Sequence, residues 1–366
     1  MPVRPVARIE STHVREDGAM VTIGIDTHKA TLAVSAIDEA GRERAAETFP
    51  NDREGHARLL HWARIHGPER RFGIEGSGSY GAALARRLVA SGEQVVEVPA
   101  VLTDRERRHL RRAGKSDPGD ALAIARVALR ERSLGPAPMP GITEDLKLLV
   151  DAREHCLAER TRVANQLHAH LVVLTPGYKD EIKNLSAARY LAAATRLLRR
   201  VGSVRAELAR AELVRLRALD VESDVLEGRI RALVQLSGSS LPTIRGVADL
   251  TAAKLLGETG DPRRIRSASA FALMSGTAPI PASSGQTSRH RLNRGGNRQL
   301  NRALYTIALT QARTDPRAKT YMARRIAEGK SWLDALRCLK RHLADVVWRT
   351  MLADAQRAAE IRGLTT

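Results

Sequence analysis

Four acidic residues stand where chemistry could be done. Asp26 closes the apolar run VTIGID, and Glu75 closes FGIE just ahead of the flexible GSGSYG. Asp117 and Asp120 lie three apart in KSDPGD, at the head of an apolar stretch. Singly, each has an ordinary reading. Asp26 with Thr27 can open a turn, and Glu75 can be a loop acid. Asp117-Pro118-Gly119-Asp120 makes a helix cap with proline at the first helical position. Together they suggest more. Acids at the C-terminal ends of two strands can converge on one sheet edge, and two acids three apart share a helix face. Carboxylates crowded in one cleft force protonation unless a cation neutralises them. Hard Mg²⁺ prefers carboxylate oxygen, and two such ions can activate a nucleophile and stabilise a leaving oxygen in phosphoryl transfer.

A second stretch, GTAPIPASSGQTSRHRLNRGGNRQLNRALY at 276–305, is equally unusual. Small and turn-forming residues place Ser283 and Ser284 on an exposed loop. Arg289, Arg291, Arg294, Arg298 and Arg302 follow with no acid between them. Such a cluster can bind phosphates and stabilise a pentacovalent phosphorus. Local sequence alone reads Ser283-Ser284-Gly285 as a polar turn. No His–Asp pair nearby activates either hydroxyl, and His290 reads as a surface residue in a basic run.

The composition agrees with a polyanionic partner. The 366 residues carry a formal charge of +19, so nucleic acid is the expected ligand. Only 3% of residues are aromatic, which leaves aliphatic cores. Cys156 and Cys338 lack metal or disulfide spacing and indicate a reducing cytoplasm. No run is long and apolar enough for a membrane span, and residues 1–20 lack a signal-peptide core. They read as a flexible extension, with Met20 as a second candidate start.

The elements that must position these residues follow from period and punctuation. VTIGID, ATLAVSAID and RERAAETFP read as strands, RRFGIEG and EQVVEVP as two more. Helices are predicted over EGHARLLHWARIH, GAALARRLVASG and from Asp117 to about Arg132. A mixed α/β sheet over 21–135 is therefore expected, ended by the Pro- and Gly-rich 133–141. Residues 141–236 read as two long amphipathic helices broken at TPGY, an antiparallel coiled-coil arm or, in the plainer reading, a helical bundle. The first has Leu146, Leu149, Val150, Leu157, Ala164, Leu167, Leu171 and Leu174 on one face. The second, over 186–236, carries Leu197, Val201, Val204, Leu208, Val225, Ile230 and Val234. Residues 241–355 form a helical C-terminal domain. It begins with LPTIRGVADLTAAKLLGETGD, a helix-hairpin-helix-like segment turning at Gly246, whose backbone amides could grip a phosphate.

The order Asp, Glu, Asp, Asp on strand, strand and helix resembles the RuvC-like branch of the RNase H fold. GIDTHK, GIEGSGSYG and KSDPGDA, with the distal PASSG…GNRQLNRALY, resemble the DEDD transposases of bacterial insertion sequences, relatives of the Piv-type DNA invertases. The resemblance runs from Met20 to about Asp345. It implies a RuvC-like domain, a coiled coil, and a transposase domain with a serine before glycine. It assigns Asp26, Glu75, Asp117 and Asp120 to a Mg²⁺-binding tetrad and Ser284 to the nucleophile, with Ser283 the near alternative. It further implies donor and target DNA as substrates, a bridge RNA as guide and a homo-oligomer, dimer or tetramer. Composite sites would unite the acids of one subunit with the serine of another, in the nucleoid of a bacterial cytoplasm. The rival expectations are a Holliday-junction resolvase that uses carboxylates and metal-bound water alone, and a non-enzymatic scaffold.

Overall fold

In a computed structural model the described residues are 20–109, 117–132, 134–137, 139–282, 290–291, 293 and 295–363. Of Arg108, His109, Asp117, Pro118, His290, Arg362 and Gly363 only the main chain is described. The chain divides into two compact units between Met139 and Pro140.

The first unit is built on a sheet. Its strands are β1 (Val21–Thr27), β2 (Thr31–Ile37), β3 (Glu43–Pro50), β4 (Arg70–Glu75) and β5 (Gln94–Glu97), in the order β3-β2-β1-β4-β5. β1, β2 and β3 pair antiparallel, whereas β4 and β5 continue parallel to β1. This is the RNase H-like arrangement. Helix α1 (Arg53–Ile65) follows β3, with Asp52 as its cap, and α2 (Ala82–Ala90) links β4 to β5. α3 (Ala100–His109) and α4 (Asp117–Arg130) come last. The sequence offered no helix over 100–109.

α4 lies on the sheet because two glycines let it. Gly24 and Gly73 are register partners on β1 and β4. A Cβ on Gly24 would sit 2.2 Å from the Ala121 carbonyl oxygen and 2.3 Å from the Ala125 nitrogen. A Cβ on Gly73 would meet the Ala128 Cβ at 2.5 Å. Helix and strand thus meet main chain to main chain. The alanines of ALAIARVAL are fully buried on the helix side. On the opposite face, Leu59, Leu60 and Ala63 of α1 and Leu84 and Leu88 of α2 close a core with Ile23, Ile25 and Phe72.

The second unit is helical. α5 (Ile142–Leu174) and α7 (Val204–Leu236) are its longest pair, with α6 (Ala188–Leu198) between them. Arg153 pairs with Glu227, Arg160 with Asp220, and His170 with Glu212. Partner numbers fall as α5 advances, so the two helices run antiparallel. The predicted single stretch over 186–236 is interrupted at 199–203, where Ser203 caps α7 through its hydroxyl.

α8 (Asp249–Thr259), α9 (Ala268–Met274), the short strands β6 (Ile280–Pro281) and β7 (His290–Arg291), α10 (Arg298–Thr314), α11 (Pro316–Ala327) and α12 (Trp332–Gly363) complete the unit. One continuous aliphatic core runs from Leu146 of α5 to Met351 of α12. No helix of the described residues is long and apolar enough to cross a membrane.

Candidate active site

Asp26 and Glu75 are register partners at the ends of parallel strands. In-register residues of parallel strands point to the same face, and alternate residues share it. Both acids therefore lie on the face of Gly24 and Gly73, the face that α4 covers. The strand ends are tied together. The Thr27 hydroxyl donates to the Glu75 carbonyl oxygen at 2.8 Å, and Gly76 turns the chain with φ +73°. Asp120, in the first turn of α4, is buried.

The electrostatics are those of crowded acids. Burial pushes the Glu75 carboxyl up from its usual range, the Thr103 hydroxyl opposes this, and the Asp26 charge adds to it. Asp26 has His28 beside it, with Nε2 3.3 Å from Oδ2. Asp120 is met by a cation from α3, the Arg107 Nη1 at 2.8 Å. That contact raises the Arg107 pKa, and Asp104 on the same helix reinforces it. Arg107 also acts on Glu75, holding it down where Asp26 drives it up. α3 is pinned to α4 a second time by Glu106 and Arg130, 2.6 Å apart.

The structure therefore brings Asp26 and Glu75 together and places Asp120 on the helix above them. The Asp117 side chain lies outside the described residues. Among the described residues no group of three His, Cys, Asp or Glu side chains is disposed to hold a metal ion. Arg107 stands against Asp120 instead. Sequence reasoning missed Arg107, Thr103 and Asp104 altogether. The one signal was the Asp–Arg spacing of three in TDRERR, which carries weight only on a helix.

The other predicted residues belong to the second unit. Ser283, Ser284, Arg289 and Arg294 lie outside the described residues. Arg291 ends β7 and is exposed, while Arg298 and Arg302 rise one turn apart on α10. Asn297 caps that helix and also donates to Glu258 at 2.6 Å. Gly246 has φ +85°, and a Cβ there would press on Thr310 of α10 at 3.2 Å. A left-handed turn packed on a helix is reason enough for glycine.

A family model for transposases of the DEDD, IS110 type matches residues 23–176. A second, for transposases of the IS116/IS110/IS902 family, matches residues 238–323. The chain belongs to this transposase family. The first match takes in all four acids, and the second takes in both serines and all five arginines. Among similar proteins is the 42 kDa protein of insertion element IS900 from Mycobacterium paratuberculosis, 27% identical over 91% of this chain and 96% of its own length. The 44.8 kDa protein of insertion element IS116 from Streptomyces clavuligerus is 26% identical over 91% of this chain and 95% of its own. Among solved structures, Thermus thermophilus RuvC is 19% identical with a TM-score of 0.26, over 32% of this chain and 99% of that one.

Proposed function

We propose that this IS110-family transposase is a recombinase that cuts and rejoins DNA through Ser284, assisted by a Mg²⁺ site of Asp26, Glu75, Asp117 and Asp120. The observation that carries the reading is the in-register pairing of Asp26 with Glu75 beneath a helix that buries Asp120. In the reaction the Ser284 oxygen attacks phosphorus, a serine–phosphate ester forms, and the bond to one sugar oxygen breaks. That oxygen leaves with a proton. A second sugar hydroxyl then attacks the ester and releases the serine. The ester conserves the energy of the broken phosphodiester, so rejoining needs no ATP.

The donor set fits a hard cation. Its groups are carboxylate oxygens, and the mutual repulsion of Asp26 and Glu75 is relieved by positive charge. When bound, Mg²⁺ would supply that charge and polarise a phosphate oxygen. Arg107 already supplies part of it at Asp120, which makes it a competitor. Arg107→Gln is expected to tighten Mn²⁺ binding about tenfold in calorimetric titration, equivalent to ~1.4 kcal/mol. Unchanged or weaker affinity would show that the guanidinium does not compete.

Arg289, Arg291, Arg294, Arg298 and Arg302, with the Gly246 turn, would hold the phosphates of donor and target DNA and of a bridge RNA. A homo-oligomer, dimer or tetramer, would assemble the reaction. The decisive test is to incubate the chain with labelled DNA of the element's ends, quench in denaturant and look for label on protein. A metal-dependent adduct supports the recombinase. Cleavage without any adduct, even after rapid quenching, would make the chain a hydrolytic nuclease of the resolvase type.

A further inference from the structure

We propose that the cleft between α10 and α12 seats one nucleotide of a single strand, with its phosphate on Lys340, Arg298 and Arg302 and its base against Tyr305. The proposal rests on the recombinase reading only for the kind of polymer involved, since the cleft itself is built for a phosphate beside a flat apolar group.

Both walls are regular. Arg298, Asn301, Arg302 and Tyr305 have the spacing i, i+3, i+4, i+7 and form one stripe of α10. Leu333, Leu336, Arg337 and Lys340 repeat that spacing on α12. Between them lies a cleft of about 490 Å³, in the range of small-ligand clefts and too small to enclose a duplex.

The polar groups in the cleft are set for an anion. Lys340 donates to the Asn301 side-chain oxygen at 2.9 Å, and Asn301 is itself fixed by donating to the Ser275 and Gly276 carbonyls. Among the described residues no acid forms an ion pair with Lys340 or Arg298, while the Glu154 carboxylate acts on Arg302 from a distance. Asp334 is taken up by Arg337 at 2.6 Å. Burial pushes the Lys340 ammonium below its usual range, and the nearby Arg337 charge adds to this, so a lysine that lacks counter-charge is held inside the cleft. At the mouth, Tyr305 and Leu333 expose 43% and 53% of their surface. Cations inside an apolar, aromatic rim are the elements of a single-strand platform, where the ring stacks on a base and the cations track the backbone. A duplex hides its base faces and offers Tyr305 nothing to stack on.

The test uses the full chain without divalent cation, so that neither cleavage nor a serine adduct is needed. Fluorescence anisotropy is measured with a single-stranded oligonucleotide and with the same sequence as a duplex, over a range of salt. Tyr305→Leu keeps the apolar contact but removes the ring. It should weaken single-strand binding about tenfold and leave the duplex unchanged. Lys340→Met removes one phosphate contact and should flatten the single-strand salt slope by about 0.7. If Lys340→Met fails to fold, the exposed Tyr305 position still decides. Single-strand affinity within twofold of wild type for Tyr305→Leu, or equal loss on duplex, overturns the proposal. A chain that forms the serine adduct but shows no such loss refutes this cleft alone. One that shows the loss but never forms an adduct refutes the recombinase reading and leaves the cleft standing.

Discussion

Glu75→Gln is expected to lower DNA strand cleavage about a thousandfold while leaving the metal-free protein as stable as before, or slightly more so. The two effects have one cause. Charge stabilisation by a bound cation contributes several kcal/mol in the transition state, and each 1.36 kcal/mol is worth a factor of ten. The same carboxylate is costly to bury next to Asp26, so neutralising it removes a penalty from the folded state. Asp26→Asn should behave alike. Asp120→Asn should lose activity to a similar extent but melt earlier, because it strips Arg107 of its buried partner. Asp117→Asn removes the charge of the fourth acid with the least change of shape. Cleavage rates and melting curves read the two effects separately. Near-normal cleavage by two or more of these variants would sink the tetrad.

Ser284→Ala should abolish strand exchange and the denaturation-resistant adduct, yet leave DNA binding close to wild type. Only one oxygen is removed, and the arginines that follow it in sequence are untouched. Ser283→Ala should be far milder. Ser284→Cys is expected to keep a trace at most, since sulfur attacks phosphorus but is displaced from it differently. Peptide mapping of the trapped complex places the label. An adduct on Ser284 that disappears in Glu75→Gln would join both sets of residues in one reaction. Full strand exchange by Ser284→Ala would return the chain to the nucleases that use carboxylates alone.

Much of the sheet was legible because its signals are local. Strand period and the glycines after Glu75 marked the strands and put Asp26 and Glu75 at their ends. α3 was not legible. AVLTDRERRH shows no apolar period, since it is fixed by the single apolar contact of Leu102 and by Glu106 and Arg107, whose partners lie on α4. The arm was half legible. Its helices were foreseen, but Val204, Leu208 and Val225 of the predicted face are 72%, 52% and 58% exposed. The buried seam instead uses Ala206, Ala209, Leu213 and Leu216. α7 carries two stripes at heptad spacing, and close approach to α5 selects the one with small residues. On α5 the same one-position slip favours Cys156 and Val163 over Leu157 and Ala164. Lys340 gave no sign in sequence, for its meaning comes from Asn301, 39 positions away.

The glycine floor under α4 sets a mechanical asymmetry around the acids. Asp120 rides on a helix whose backbone touches the backbone of β1 through Gly24, with no side chain between that could flex or repack. Its distance from Asp26 is thereby set to main-chain tolerance. Arg107 rides on α3, which meets α4 through two ion pairs and rests on the core through Leu102. Side-chain ion pairs can exchange partners, whereas a backbone contact cannot. One flank of the acids is set by main chain, the other by side chains. A change in the Arg107 contact therefore leaves the backbone spacing of Asp26 and Asp120 in place.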